Sequence, residues 1–147
     1  MYGWELERAL LADPYAARTL VGVYTVDEAW PMARRFPASY LINTGTQDGP
    51  GEHWVAVFLE DPEHGEYFDS YGTAPLESVY QRLRSWGYPD MRFSTRMLQG
   101  PWSRSCGLYA VYFIASRSRG LPLGSVTGVF REYDFTYNEA LIRHRLL

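Results

Sequence analysis

"LQGPWSRSCGLYAVYFI" (residues 98–114) passes from a loop into an apolar run and carries the chain's only cysteine, Cys106. Gly100-Pro101 bars a continuous element, and Ser103 or Ser105 is suited to cap a helix. The pattern predicts a buried helix from about Cys106 to Ser118, stopped by Gly120-Leu121-Pro122. A thiol in the first turn of a helix faces unpaired N–H groups and the positive end of the macrodipole, and both favour thiolate. Arg104 is expected to add to that effect, and Gly107 to leave the sulfur uncrowded on one side. A lone cysteine heading an apolar helix is more often a small core residue, so the thiol alone decides nothing.

Working outward, "HWVAVFLE" reads as a buried strand over 53–60, "DPEHG" as a turn, and "EYFDSYG" as the returning strand of a hairpin. "ASYLINT", ending at Thr44, is a further strand before a turn-like stretch, Gly45 to Gly51. Trp4, Leu6, Leu10 and Leu11 form a helical stripe that Asp13-Pro14 ends. Residues 13–37 read as a long loop with one short strand near Leu20–Tyr24. Leu76, Val79, Tyr80, Leu83 and Trp86 predict an amphipathic helix over 75–86, with Gly87 behind it. "MRFSTRML" is another strand candidate, and the tail holds a short helix near Asn138–Arg145. The fold expected is α+β over a single domain, 1–147: a small mixed or antiparallel sheet packed against helices, with Cys106 at the head of a central helix.

Three residue types could turn the thiol into a nucleophile. Of three histidines, His64 lies in a polar turn and His144 in a charged run, while His53 opens a strand beside Trp54. Asp69 stands among aromatic strand residues, where a charge is costly unless paired, although a turn former at a strand end is its plainer reading. In a hairpin His53 and Asp69 share one end, so the acid could hold the imidazole tautomer; the register that would join them is not fixed by sequence. Gln99, seven residues before Cys106, could aim its amide at an oxyanion together with the Cys106 N–H. Trp54 and Trp102 each admit two readings, floor of a substrate slot or core packing.

The order His53, Asp69, Gln99, Cys106, set in "LINT", "GEHWVAVF", "YFDSYG" and "QGPWSRSCGLY", resembles the adenovirus-type cysteine proteases (adenain), in the clan of ubiquitin-like-protein proteases. The resemblance spans about residues 40 to 114. It implies Cys106 as nucleophile, His53 as general base and acid, Asp69 as its partner and Gln99 as oxyanion donor. It also implies cleavage at small, Gly-containing sites, maturing precursors of viruses or virus-like elements. The alternatives are a deconjugating protease for ubiquitin-like proteins and an inactive capsid or scaffold homologue. A papain-like order is disfavoured, because there the cysteine precedes the histidine.

Composition bounds the rest. At 147 residues, with 46% hydrophobic and 21% charged residues, the chain has ordinary globular composition. One cysteine allows no internal disulfide, and with no apparent signal peptide or membrane span an intracellular protein is expected, in host cytoplasm or nucleus and packaged in virions if viral. The resemblance implies a short activating peptide joined by a disulfide to a second cysteine; with no second cysteine here, any activating peptide is expected to bind non-covalently. Seventeen acidic against fourteen basic residues make nucleic acid a poor partner, and the Arg117/Arg119 and Arg143/Arg145 pairs read as solvated helix ends. Polypeptide substrates are the expected partners; no cofactor or metal is expected.

Overall fold

A computed structural model describes residues 2–45, 53–101 and 103–146. Helices α1 (Gly3–Ala12) and α2 (Pro14–Thr19) lead into strands β1 (Leu20–Thr25), β2 (Ala38–Asn43), β3 (Trp54–Leu59) and β4 (Gly65–Phe68). Then come α3 (Glu77–Ser85), β5 (Met91–Phe93), α4 (Cys106–Ser118), α5 (Leu123–Gly128) and α6 (Phe135–Leu146). The strands form one mixed sheet in chain order, parallel at β1/β2 and β4/β5 and antiparallel at β2/β3 and β3/β4.

The sheet is covered on both faces, and the period of two along a strand sorts side chains between them. Leu41, Ala56, Phe58 and Phe68 join one core with α1, α4, α5 and α6. Tyr40, Ile42, Val55, Val57, Leu59 and Tyr67 join a second with Trp30, Val79 and Leu83. A strand buried on both sides cannot alternate polar with apolar, which is why "VAVFL" is continuously hydrophobic.

Helix α4 is buried through residues 106–114. It closes in a Schellman motif: Gly120 (φ +92°) follows the C-cap, the Gly120 N–H bonds Arg117 O at 2.9 Å, and the Leu121 N–H bonds Ser116 O at 3.2 Å. Arg117 is not a solvated helix end. Its guanidinium is buried, donating from Nε to Glu66 Oε1 at 2.7 Å and from Nη2 to Oε2 at 3.3 Å, and lies 4.5 Å above the Phe58 ring. Removing one partner strands the other's charge, so Arg117→Ala is expected to cost about 3–5 kcal/mol in urea unfolding, and Arg117→Leu with Glu66→Leu to recover part of it. Arg119 is paired with Asp13, whereas Arg143 and Arg145 are exposed as expected.

Other expectations are corrected. The 13–37 stretch is not a continuous loop: Asp13 caps α2 through the Tyr15 N–H (3.1 Å), with Pro14 in the first turn. Only Leu6 and Leu10 of the N-terminal stripe are buried; Trp4 is 62% and Leu11 55% exposed. The "MRFSTRML" strand ends at Phe93, because the chain leaves β4 and returns with the Leu98 and Gln99 N–H groups on Ser70 O, at 2.8 and 3.1 Å. No described helix is long and apolar enough to cross a membrane.

Candidate active site

The β3–β4 hairpin supplies the base and the acid. Its register pairs Ala56 with Phe68 and Leu59 with Gly65. Carried on by one and three pairs, that register sets Asp69 level with Val55 and Tyr71 level with His53, so Asp69 is a diagonal, same-face neighbour of the histidine. The side chains meet: His53 Nε2 lies 2.7 Å from Asp69 Oδ1. Asp69 is one residue past β4 rather than inside a strand. The Tyr71 N–H donates to its Oδ1 at 2.8 Å and the Thr73 hydroxyl to its Oδ2. Burial alone pushes the Asp69 carboxyl up, but His53, Thr73 and the Tyr71 N–H together hold it below the usual carboxylate range.

The thiol enters from α4. Cys106 is 9% exposed and hydrogen-bonded to His53; with Nε2 committed to Asp69, Nδ1 is the ring nitrogen left for the sulfur. The Trp54 main-chain N–H donates to Cys106 Sγ at 3.5 Å. Burial pushes the thiol up, but the His53 bond, the Trp54 and Gly107 N–H groups and the imidazolium charge bring it below its ordinary value. Burial pushes His53 down, and its bonds to Asp69 and Cys106 outweigh that and raise it to about 9. The two directions agree, both favouring a proton on the ring and negative charge on the sulfur.

The helix terminus is open. Ser105 occupies the N-cap position without a side-chain cap bond; its hydroxyl donates instead to Glu139 of α6, as does that of Ser103 at 3.0 Å. Arg104, expected to assist the thiolate, is exposed, and the groups that lower the thiol are His53, Trp54 and Gly107. Gly107 has a different role from the one expected. A Cβ there would stand 2.7 Å from Leu6 Cδ1 and 3.3 Å from Trp54 Cδ1, so the glycine admits α1 and the indole against α4.

Gln99 is 1% exposed, held by the Ser70 hydroxyl on Oε1 and by Ser103 O, 3.0 Å from Nε2. A primary amide has two N–H donors, and among the described residues the second has no acceptor. The Trp54 indole is half-buried between Gly3 and Gly107. Trp102 and most of the Gly45–Gly51 stretch lie outside the described residues. His64 and His144 are exposed, as expected. Among the described residues no cluster of three or more His, Cys, Asp or Glu side chains is placed to hold a metal ion.

No family model matches the chain. A protease of fowl adenovirus A serotype 1 is 30% identical over 135 residues, covering 79% of this chain and 64% of its own length. The chain is similar in sequence to adenovirus proteases. The cysteine protease of African swine fever virus (isolate Tick/Malawi/Lil 20-1/1983) is 31% identical over 88 residues, 52% of this chain and 32% of the viral enzyme. The chain thus spans about a third to two thirds of the length of these curated relatives. Among solved structures, the central domain of an uncharacterized Legionella pneumophila protein has a TM-score of 0.50 at 18% identity, covering 86% of this chain and 85% of that one, a likeness of fold.

Several residues around this site carry no signal of their own in sequence. Tyr71 stacks on His53, ring centroids 4.7 Å apart and planes 23° from parallel. Gly72 (φ +76°) turns the chain where a Cβ would meet Thr95 O and Arg96 O at 2.7 Å. Asn43, closing the "LINT" strand, accepts from the Gly45 N–H at 2.8 Å, while the Thr44 N–H holds His53 O at 2.8 Å.

Proposed function

We propose that this chain is a cysteine endopeptidase with Cys106 as nucleophile, His53 as general acid and base, Asp69 as the group orienting the imidazole, and Gln99 with the Cys106 N–H as oxyanion donors. The observation that carries the reading is the contact of His53 with Asp69 at 2.7 Å beside Cys106, whose sulfur takes the Trp54 N–H at an uncapped helix terminus. The thiolate attacks the scissile carbonyl carbon, and the oxyanion settles against the second Gln99 N–H and the Cys106 N–H. The Nδ1 proton passes to the leaving nitrogen, the C–N bond breaks, and a thioester remains. Water then attacks the thioester while Nδ1 takes its proton; the C–S bond breaks, releasing the acid and restoring the thiolate.

Substrates in this reading are extended polypeptides with a small, Gly-containing site, the precursors of a virus or virus-like element. In this reading Trp54, whose half-buried indole packs beside Gly107, is the wall of the substrate slot. The viral proteases named above support this class. A second reading, deconjugation of ubiquitin-like proteins, is favoured by relatives from African swine fever virus that bear the name SUMO-1 cysteine protease, 31% identical over 88 residues in one isolate. A panel of fluorogenic Gly-Gly peptides against intact ubiquitin-like conjugates separates the two: the endopeptidase cuts both free peptides and precursor proteins, and a deconjugating enzyme requires the folded partner. Hydrolysis of neither would leave the inactive scaffold reading.

The oxyanion role has its own test. Gln99→Ala is expected to lower kcat about 10²–10³-fold with KM little changed, because the lost donor acts on charge that exists only in the transition state. An unchanged kcat would return Gln99 to a loop-packing role.

A further inference from the structure

The turn from Asp69 to Gly72 does more than present the acid. The residue after Asp69, Ser70, is 1% exposed and grips Gln99 twice. Its carbonyl accepts the Leu98 and Gln99 N–H groups at 2.8 and 3.1 Å, fixing the main chain. Its hydroxyl donates to Gln99 Oε1, fixing the side chain.

We propose that Ser70 is a positioning residue that sets the orientation of the Gln99 amide, so that one turn aligns both the imidazole and the oxyanion site. This rests on the reading of Gln99 as oxyanion donor. The final torsion of a glutamine side chain is broad and nearly two-fold, so its own rotamer preferences do not choose which end is oxygen and which is nitrogen. Contacts must choose. The Ser103 carbonyl, 3.0 Å from Nε2, can only accept, so it selects the NH₂ end. The Ser70 hydroxyl then donates to the oxygen at the opposite end and stops the amide from swinging about that torsion. Reversed, the amide would turn an oxygen lone pair toward the developing oxyanion and oppose the reaction. Tilted, it would lengthen the one free N–H bond on which stabilisation depends. Because the Ser70 carbonyl is main chain, Ser70→Ala removes the amide lock and leaves the loop anchored.

The test is a double-mutant cycle on a fluorogenic Gly-Gly peptide, with alkylation of Cys106 by iodoacetamide measured alongside. Ser70→Ala is expected to lower kcat on the order of tenfold at unchanged KM, as for loss of a single buried hydrogen bond. Added to Gln99→Ala, it is expected to cost nothing further, since there is no amide left to orient. The alkylation rate, which depends on the thiolate and His53 but forms no oxyanion, should match wild type. The proposal is overturned by a wild-type kcat in Ser70→Ala, by an equal loss in both backgrounds, or by alkylation falling in step with turnover. Turnover in Cys106→Ala equal to wild type would remove the protease reading and this assignment with it. Turnover that Cys106→Ala lacks, beside an unimpaired Ser70→Ala, would remove the Ser70 assignment alone.

Discussion

Cys106→Ala is expected to abolish peptide hydrolysis while leaving the fold in place. In the proposed mechanism the sulfur forms the covalent intermediate, and no other thiol exists in the chain. Oxyanion donors and binding contacts would survive the substitution, but with no nucleophile they act only on slow attack by water. The structural cost is small. Alanine keeps the Cβ at the head of α4, Gly107 still admits Leu6, and the lost sulfur is worth about 1 kcal/mol of packing. Urea unfolding should therefore shift only slightly while turnover falls to background. Substantial cleavage by the alanine variant would remove Cys106 from the chemistry.

His53→Ala is expected to be nearly as severe, on the order of 10⁴-fold in kcat, with a changed pH profile. In the wild-type protein the ring holds its proton up to about 9, because its bonds to Asp69 and Cys106 outweigh burial. The thiol is displaced the other way, below its ordinary value. In the proposed mechanism the active form is thiolate beside imidazolium, favoured between the lowered thiol pKa and about 9. Activity should fall on the alkaline side as the imidazolium loses the proton meant for the leaving amine, and on the acid side as the thiolate is protonated. Without the ring both limbs change. The thiol loses the partner that lowered it and residual activity rises only at high pH, as hydroxide replaces the missing base. A bell-shaped profile surviving in His53→Ala would point to another base.

Much of this arrangement was written locally. The bounds of α4 were legible because a Gly-Pro turn, a serine-rich approach and a glycine after the last turn are short-range signals. His53 stood out because the other two histidines lie in polar turns or charged runs. What was hidden depends on partners distant in sequence. Arg117 looks like a helix end until Glu66, 51 residues earlier, is folded beneath it. The diagonal relation of His53 and Asp69 required a register that only the packed sheet imposes. The role of Gly107 could not be read without Leu6 from the opposite end of the chain. Asp13-Pro14 was read as a stop alone, although the same pair starts the next helix, an ambiguity inherent in a cap residue followed by proline. Ser70 and Glu139 carried no signal, because a hydroxyl or carboxylate that braces another side chain has no spacing rule of its own.

The most direct measurement is the pH dependence of Cys106 alkylation by iodoacetamide, in wild type and in His53→Ala. The single cysteine makes every modified molecule report on this site. The wild-type rate is expected to titrate below the ordinary thiol value of about 8.5 and to remain high under mildly acid conditions, with the inflection moving back up when the imidazole is removed. Inflections at the ordinary thiol value in both proteins, with equal rates, would contradict the account, because the sulfur and the ring would then not be acting on one another.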